Sequence, residues 1–283
     1  MMRFDEAAAA ASRDLRATTG QVRLRKPTSN LFRSRTPAAN ELDLSAFSGV
    51  FDVDPATRTA TVGGLTTYED LVAATLPHGL VPLCVPQLRT ITLGGAVTGL
   101  GIEAASFRNG CPHESVTAME VLTGTGEVVR ATPDGEHSDL FFGFPNSYGS
   151  LGYALRLEIE LEPVRRNVLL RHVRFSSAAD VARAIATITE ERTFEGVEVD
   201  YMDATVFGRG EIYLTLGAYG DAGTPSDYTG QQIYYRSIQE RSTDTLTIHD
   251  YLWRWDTDWF WCSGAFGAQD PRLRRVWPRR WRR

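Results

Sequence analysis

Cysteine is scarce in this chain: Cys84, Cys111 and Cys262 are the only three in 283 residues. An odd, widely spaced set is no disulfide framework, so a reducing, cytoplasmic setting is the expectation. Nor do the three make a zinc pattern, because Cys111 and His113 have no second pair to complete a tetrahedral site, and no metal is expected. Positive charge is not in excess either. A formal net charge of −5 argues against a general nucleic-acid binder. No apolar run reaches the roughly 20 residues that span a bilayer. The segment Met1 to Thr19 is alanine-rich with Arg13 and Arg16. It lacks the continuous apolar stretch of a secretory signal, and a short surface helix is expected there. What is present is an ordinary globular composition. An apolar share of 42% with 23% charged supports a packed core and excludes global disorder.

Along the chain, residues 21–35 read as a strand leading into a loop broken by Pro27. Val50 to Val53 and Thr59 to Val62 read as the arms of a hairpin that turns at Asp54-Pro55. Thr66 and Glu69 have capping-box spacing. Leu71, Val72, Thr75 and Leu76 then make one face of a helix that ends at Gly79. Val116 to Leu122 and Glu127 to Ala131 are strands about the turn Gly124-Thr125-Gly126, and Asp139 to Phe142 is a helical turn. From Tyr153 to Leu161 the alternation is plain: Leu155, Leu157, Ile159 and Leu161 face one way, Arg156, Glu158 and Glu160 the other. Beyond Pro163 a strand (169–175) precedes a helix that Ser176 and Ser177 can cap, with Val181, Ile185 and Ile188 as its stripe. Two strands follow, near 197–201 and 212–216. The boundary is placed near residue 165, dividing the chain into 1–165 and 166–283, both α+β. The last stretch crowds Trp253, Trp255, Trp259, Phe260 and Trp261 ahead of seven arginines between Arg272 and Arg283, with Trp277 and Trp281 among them. It reads as a segment that packs on a missing remainder. A membrane-surface or acidic-partner site is the alternative.

The most unusual run is Thr92-Leu93-Gly94-Gly95-Ala96-Val97-Thr98-Gly99-Leu100-Gly101. Glycine lets a backbone amide approach a pyrophosphate oxygen with no side chain between. The spacing excludes a Rossmann fingerprint, whose third glycine is missing after Gly99-Leu100-Gly101. It also excludes a P-loop, which needs Gly-Lys-Ser/Thr. On the residues alone, tight packing and nucleotide contact both remain open.

Three features, taken in order, go further. They are Pro86 followed by Thr92-Leu93-Gly94-Gly95; Asp139-Leu140-Phe141 followed by Gly149-Ser150-Leu151-Gly152; and the alternating strand that ends at Glu162-Pro163. Together they resemble the FAD-binding domain of the vanillyl-alcohol-oxidase and p-cresol-methylhydroxylase (PCMH-type) superfamily. Gly99-Leu100-Gly101-Ile102-Glu103-Ala104-Ala105-Ser106, with Gly110 after it, is similar to the block of the sterol Δ24-reductase group. The resemblance implies an α+β fold: a two-subdomain FAD-binding domain, then an α+β substrate (cap) domain, which is expected to be incomplete here.

It also implies that FAD contacts come from Thr92, Leu93, Gly94, Gly95, Thr98, Gly99, Gly101, Ile102, Ser106 and Gly152. The loop Pro27 to Arg35 matches the family's other pyrophosphate loop by position but lacks its glycines. Many relatives attach FAD through a histidine. This chain has no histidine before His78 and none between Leu93 and Gly110, so non-covalent FAD is expected, with His113 a weak alternative link. The implied reaction passes hydride from NADPH through the flavin to a carbon–carbon double bond of a hydrophobic, sterol-like substrate. Alcohol oxidation and a non-catalytic fragment are the rival readings. No catalytic residue is named, since structural roles are favoured for Glu103 and Tyr148.

Overall fold

The computed structural model describes residues 4–25, 40–228 and 234–255. The loop Pro27 to Arg35, Cys262 and the aromatic and arginine-rich stretch from Trp259 onward lie outside them. The chain forms two compact units. The first is Met1–Pro86, Thr90–Ile102 and Cys111–Pro163; the second is Gln87–Arg89, Glu103–Gly110 and Val164–Arg283.

The first unit begins with the expected helix α1 (Phe4–Ala17), which is not wholly on the surface. Ala7, Ala8 and Ala11 are buried and pack with Leu42, Leu44, Phe47, Leu122 and Leu155. Small side chains let the helix lie close to its neighbours. Strands β1 (Val22–Leu24) and β2 (Asn40–Leu42) pair in parallel. The expected hairpin forms as β3 (Val50–Asp54) and β4 (Thr59–Gly63). The Asp54 carboxylate accepts the amides of Ala56 and Thr57 at 2.8 and 3.3 Å, which fixes the turn.

Helix α2 (Tyr68–Thr75) starts one residue later than the capping-box spacing suggests. Its cap is Thr67, which accepts the Asp70 amide at 3.2 Å and donates to the Asp70 carboxylate at 2.7 Å. Thr66 is buried and serves a different purpose. Its hydroxyl accepts from the Gly49 amide at 2.8 Å and donates to the Gly49 carbonyl at 2.9 Å. A hydroxyl that is occupied in the core is unavailable to cap a helix. Gly79, at φ +70°, closes the turn after α2 as expected.

After β5 (Leu80–Pro82) comes α3 (Leu93–Gly99), and in the second unit α4 (Ser106–Asn109). The chain continues in the first unit with β6 (Val116–Leu122), β7 (Val128–Ala131), α5 (Ser138–Gly143) and β8 (Tyr153–Pro163). The sheet runs β3-β4-β8-β6-β7, with β5 also paired to β8. Its core is the stripe Leu155, Leu157, Ile159 and Leu161 on β8, all buried. On the opposite face Arg156 makes a bidentate pair with Glu120 across the strand, at 2.5 and 2.8 Å.

The second unit is a four-stranded antiparallel sheet in the order β12-β13-β9-β14. It comprises β9 (Asn167–Phe175), the small hairpin β10 (Thr193–Phe194) and β11 (Val197–Glu198), β12 (Tyr201–Gly208), β13 (Glu211–Gly220) and β14 (Thr243–Thr247). The strand expected near 197–201 is thus only the two-residue β11, and the main strand begins at Tyr201. Helix α6 (Ala178–Glu191) is capped by Ser177, which accepts the Ala179 amide at 3.2 Å. Its stripe packs on Leu214 and Leu216. Helices α7 (Tyr234–Glu240) and α8 (Ile248–Leu252) complete the unit. Trp253 and Trp255, expected among unpartnered aromatics, are buried. Trp255 packs edge-on against Tyr234 at 5.1 Å, and the Arg89 guanidinium lies 5.3 Å from the Trp253 ring.

Candidate functional site

The glycine run folds as α3. Thr92 caps it, accepting the Gly95 amide at 3.3 Å through its hydroxyl and the Ala96 amide at 2.9 Å through its carbonyl. The Leu93 amide goes to the Thr66 carbonyl and the Gly94 amide to the Gly64 carbonyl, both at 2.9 Å. The amides of residues 93–96 are therefore taken up within the protein. The glycines here serve close approach: a Cβ on Gly94 would stand 2.8 Å from the Gly64 carbonyl oxygen, and one on Gly64 would overlap the Ala154 carbonyl at 1.9 Å. Thr98 turns its hydroxyl back to the Gly94 carbonyl at 2.8 Å.

The far end of the run differs. A Cβ on Gly99 or Gly101 would meet nothing within 4 Å, so packing does not account for either glycine. Ile102 is 83% exposed. Leu100 sits at φ +56°, a conformation that costs a leucine about 1 kcal/mol or more. Tyr148 is also left-handed, at φ +50°, and donates its amide to the Thr98 carbonyl at 3.0 Å. Beside it the Ser147 hydroxyl is buried with no hydrogen-bond partner among the described residues. Two residues of strained backbone, two unexplained glycines and an orphaned hydroxyl thus gather at one end of α3. That end, Gly99 to Ile102, is the part of the run open to a ligand.

The other proposed contacts fall elsewhere. At Gly152, φ is +133° and a Cβ would stand 2.3 Å from the Leu122 carbonyl oxygen, so the turn into β8 requires glycine whatever is bound. Ser106 belongs to the second unit, where its hydroxyl accepts the Glu103 amide at 2.9 Å. Sequence reasoning missed Ser147 and Gly64. The pair Gly63-Gly64 was visible, but nothing local says which backbone it must approach.

In the second unit Arg254 is buried. It donates to the Asp203 carboxylate at 2.6 Å and to the Tyr251 carbonyl at 2.8 Å, and its guanidinium lies 3.9 Å from the Tyr251 ring centroid. Withdrawal from water pushes the Glu103 carboxyl up to about 7; Arg254 opposes that rise, as does a hydrogen bond from the Gln87 backbone, and Asp203 adds to it. Burial likewise lowers the pKa of His172, whose Nδ1 lies 2.9 Å from the Thr215 hydroxyl. Cys111, His113 and Glu114 have ligand atoms within 4.8 Å of one another. The Glu114 carboxylate accepts the Cys111 amide at 2.6 Å, a capping arrangement that accounts for the cluster.

Comparison with known proteins covers part of the chain. Residues 5–132 match the model of an FAD binding domain family. The Δ24-sterol reductase of Pisum sativum is 35% identical over 132 residues, which is 47% of this chain and 23% of that protein. The human Δ24-sterol reductase is 29% identical over 187 residues, 66% of this chain and 35% of the relative. The decaprenylphosphoryl-β-D-ribose oxidase of Mycolicibacterium smegmatis is 36% identical over 122 residues, 43% of this chain and 26% of the relative. The matched segments thus span about a quarter to a third of these relatives.

Proposed function

We propose that this chain, whose residues 5–132 match the FAD binding domain family, is an FAD-dependent reductase of a carbon–carbon double bond in a hydrophobic, sterol-like substrate, with NADPH as electron donor. The observation that carries the cofactor assignment is the open end of α3. There Gly99 and Gly101 have room where a side chain would stand, and the Ser147 hydroxyl has no partner among the described residues. The residues present fit a flavin nucleotide. Gly99 to Ile102 would approach it through backbone, Ser147 would bond to it, and Tyr148 would lie against it. Thr92, Gly94 and Gly152 would hold the surrounding backbone in place. When bound, FAD supplies hydride chemistry that no side chain offers.

The reductase reading, rather than an oxidase one, is supported by the likeness to Δ24-sterol reductases, of pea and human among others. Flavin-dependent alcohol oxidation is the second reading, favoured by the likeness to an oxidase at 36% identity. Attachment without a covalent bond is proposed because no histidine occurs between Leu93 and Gly110. The test is to load the purified chain with FAD, reduce it anaerobically with NADPH, and add a sterol-like alkene or, separately, an alcohol to the oxidised form. Reoxidation by the alkene supports the reading. Bleaching by the alcohol, with no response to NADPH, replaces it with the oxidase reading.

A further inference from the structure

Leu100 is a leucine where the backbone asks for glycine. Its φ of +56° is paired with a ψ of 132°. That lies outside even the small left-handed well open to other residues, where ψ runs from about +30° to +60°. Glycine stands on both sides of it, at Gly99 and Gly101, where a Cβ would meet nothing within 4 Å. The fold gains little from the leucine in return, since Leu100 is 44% exposed and stands outside the buried core. Its amide closes the last turn of α3 on the Ala96 carbonyl at 3.0 Å, which fixes the strained backbone in place.

Tyr148 repeats the pattern from a neighbouring turn. It is left-handed at φ +50° and exposed, and its amide bonds to the Thr98 carbonyl at 3.0 Å, tying that turn to the end of α3. The Ser147 hydroxyl next to it is buried with no partner among the described residues. Residues 98–102 and 147–148 all belong to the first unit. Strained backbone persists where the side chain it presents is used by a ligand. The open backbone of Gly99 and Gly101 suits a phosphate, but leucine and tyrosine side chains do not. They suit a flat apolar ring, and a serine hydroxyl suits the polar rim of one.

We propose that Leu100 and Tyr148 grip the flavin ring of FAD, and that the strain each carries in the fold is kept for that contact. Ser147 bonds to the polar edge of the ring, and Gly99 and Gly101 are left to the pyrophosphate. The proposal rests on the FAD assignment given above. It has a consequence that a packing residue does not share: removing the Leu100 side chain weakens cofactor binding without weakening the fold.

The test measures two quantities on the full chain: the thermal midpoint without FAD, and FAD affinity by titration followed through flavin fluorescence. Leu100→Gly should bind FAD about tenfold more weakly, the loss expected from the apolar area of one half-covered leucine. Without FAD it should melt at or above the wild-type midpoint, because glycine relieves the strain. Leu100→Ala keeps the strained Cβ and loses the contact, so it should lose affinity as well. Leu100→Met keeps the apolar bulk and should bind within about twofold of wild type. Tyr148→Asn, a residue type that tolerates the left-handed conformation, should also weaken FAD binding. Wild-type affinity in Leu100→Gly or Leu100→Ala, a loss in Leu100→Met as large as in Leu100→Ala, or a midpoint of Leu100→Gly several degrees below wild type overturns the role of Leu100. Wild-type affinity in Tyr148→Asn overturns that of Tyr148. A wild type that binds no FAD overturns the cofactor assignment and the grip with it.

Discussion

Gly64 and Gly99 are the same residue under opposite constraints. A methyl on Gly64 would overlap the Ala154 carbonyl, whereas one on Gly99 would meet nothing within 4 Å. Gly64→Ala should therefore destabilise the fold by about 3 kcal/mol, as overpacking against backbone does, and urea denaturation will show it as a lower midpoint. Gly99→Glu should leave the melting temperature near wild type and abolish FAD retention, since it sets bulk and a negative charge where a pyrophosphate would approach. Flavin absorbance per mole of folded protein is the measurement, and full occupancy in Gly99→Glu would refute the cradle at this end of α3. Glu103 makes a third residue-scale prediction. Its folded-state pKa is raised from 4.5 to about 7, so its contribution to stability is fully present below the unfolded value and is lost as pH rises through the folded one. Wild type should lose on the order of 3 kcal/mol relative to Glu103→Gln between pH 4.5 and 7, read from denaturation midpoints across that window.

Helix starts show how a local signal can miss by one residue. Thr66 and Thr67 are neighbours of equal capping propensity, and Glu69 and Asp70 are neighbours of equal charge, so both registers satisfy the spacing rule. Burial decides between them: Thr66 is enclosed and bound to Gly49 on both sides, leaving Thr67 to cap α2. Thr67→Ala should cost about 1 kcal/mol, the usual value of a cap. Thr66→Ala should cost more, because it orphans the half-buried amide of Gly49, whose carbonyl keeps only the Gly63 amide. The two costs can be compared in paired thermal melts, and an equal or reversed order would contradict the assignment. The strands of β8 and of the β3–β4 hairpin were legible because alternation and turn residues agree. The short β11 was not, because Val197 to Tyr201 has the composition of a strand and only the course of the chain interrupts it.

For the molecule as a whole, non-covalent attachment predicts that acid precipitation of the FAD-loaded chain releases all the flavin to the supernatant. Fluorescence that stays with the denatured protein would point instead to a covalent link at His78 or His113. Among the described residues no helix is long and apolar enough to cross a membrane. Trp253 and Trp255, which the sequence suggested as exposed, are covered by Arg89 and Tyr234, because a cluster of large aromatics buries more area by packing than it exposes. Much was legible in the sequence alone: the hairpin β3–β4, the strands β6 to β9 with helices α2 and α6, the unusual glycine run, and the absence of a histidine beside it. These depend on periodicity, spacing and residue type, which are local properties. Tertiary structure alone decided which glycines answer to packing and which stand open, that Leu100 and Tyr148 are strained at the same end of α3, and that Glu103 shares one guanidinium with Asp203. Such facts depend on what lies across from a residue, and Asp203 and Arg254 stand 100 and 151 positions from Glu103 in the chain, beyond the reach of any local pattern.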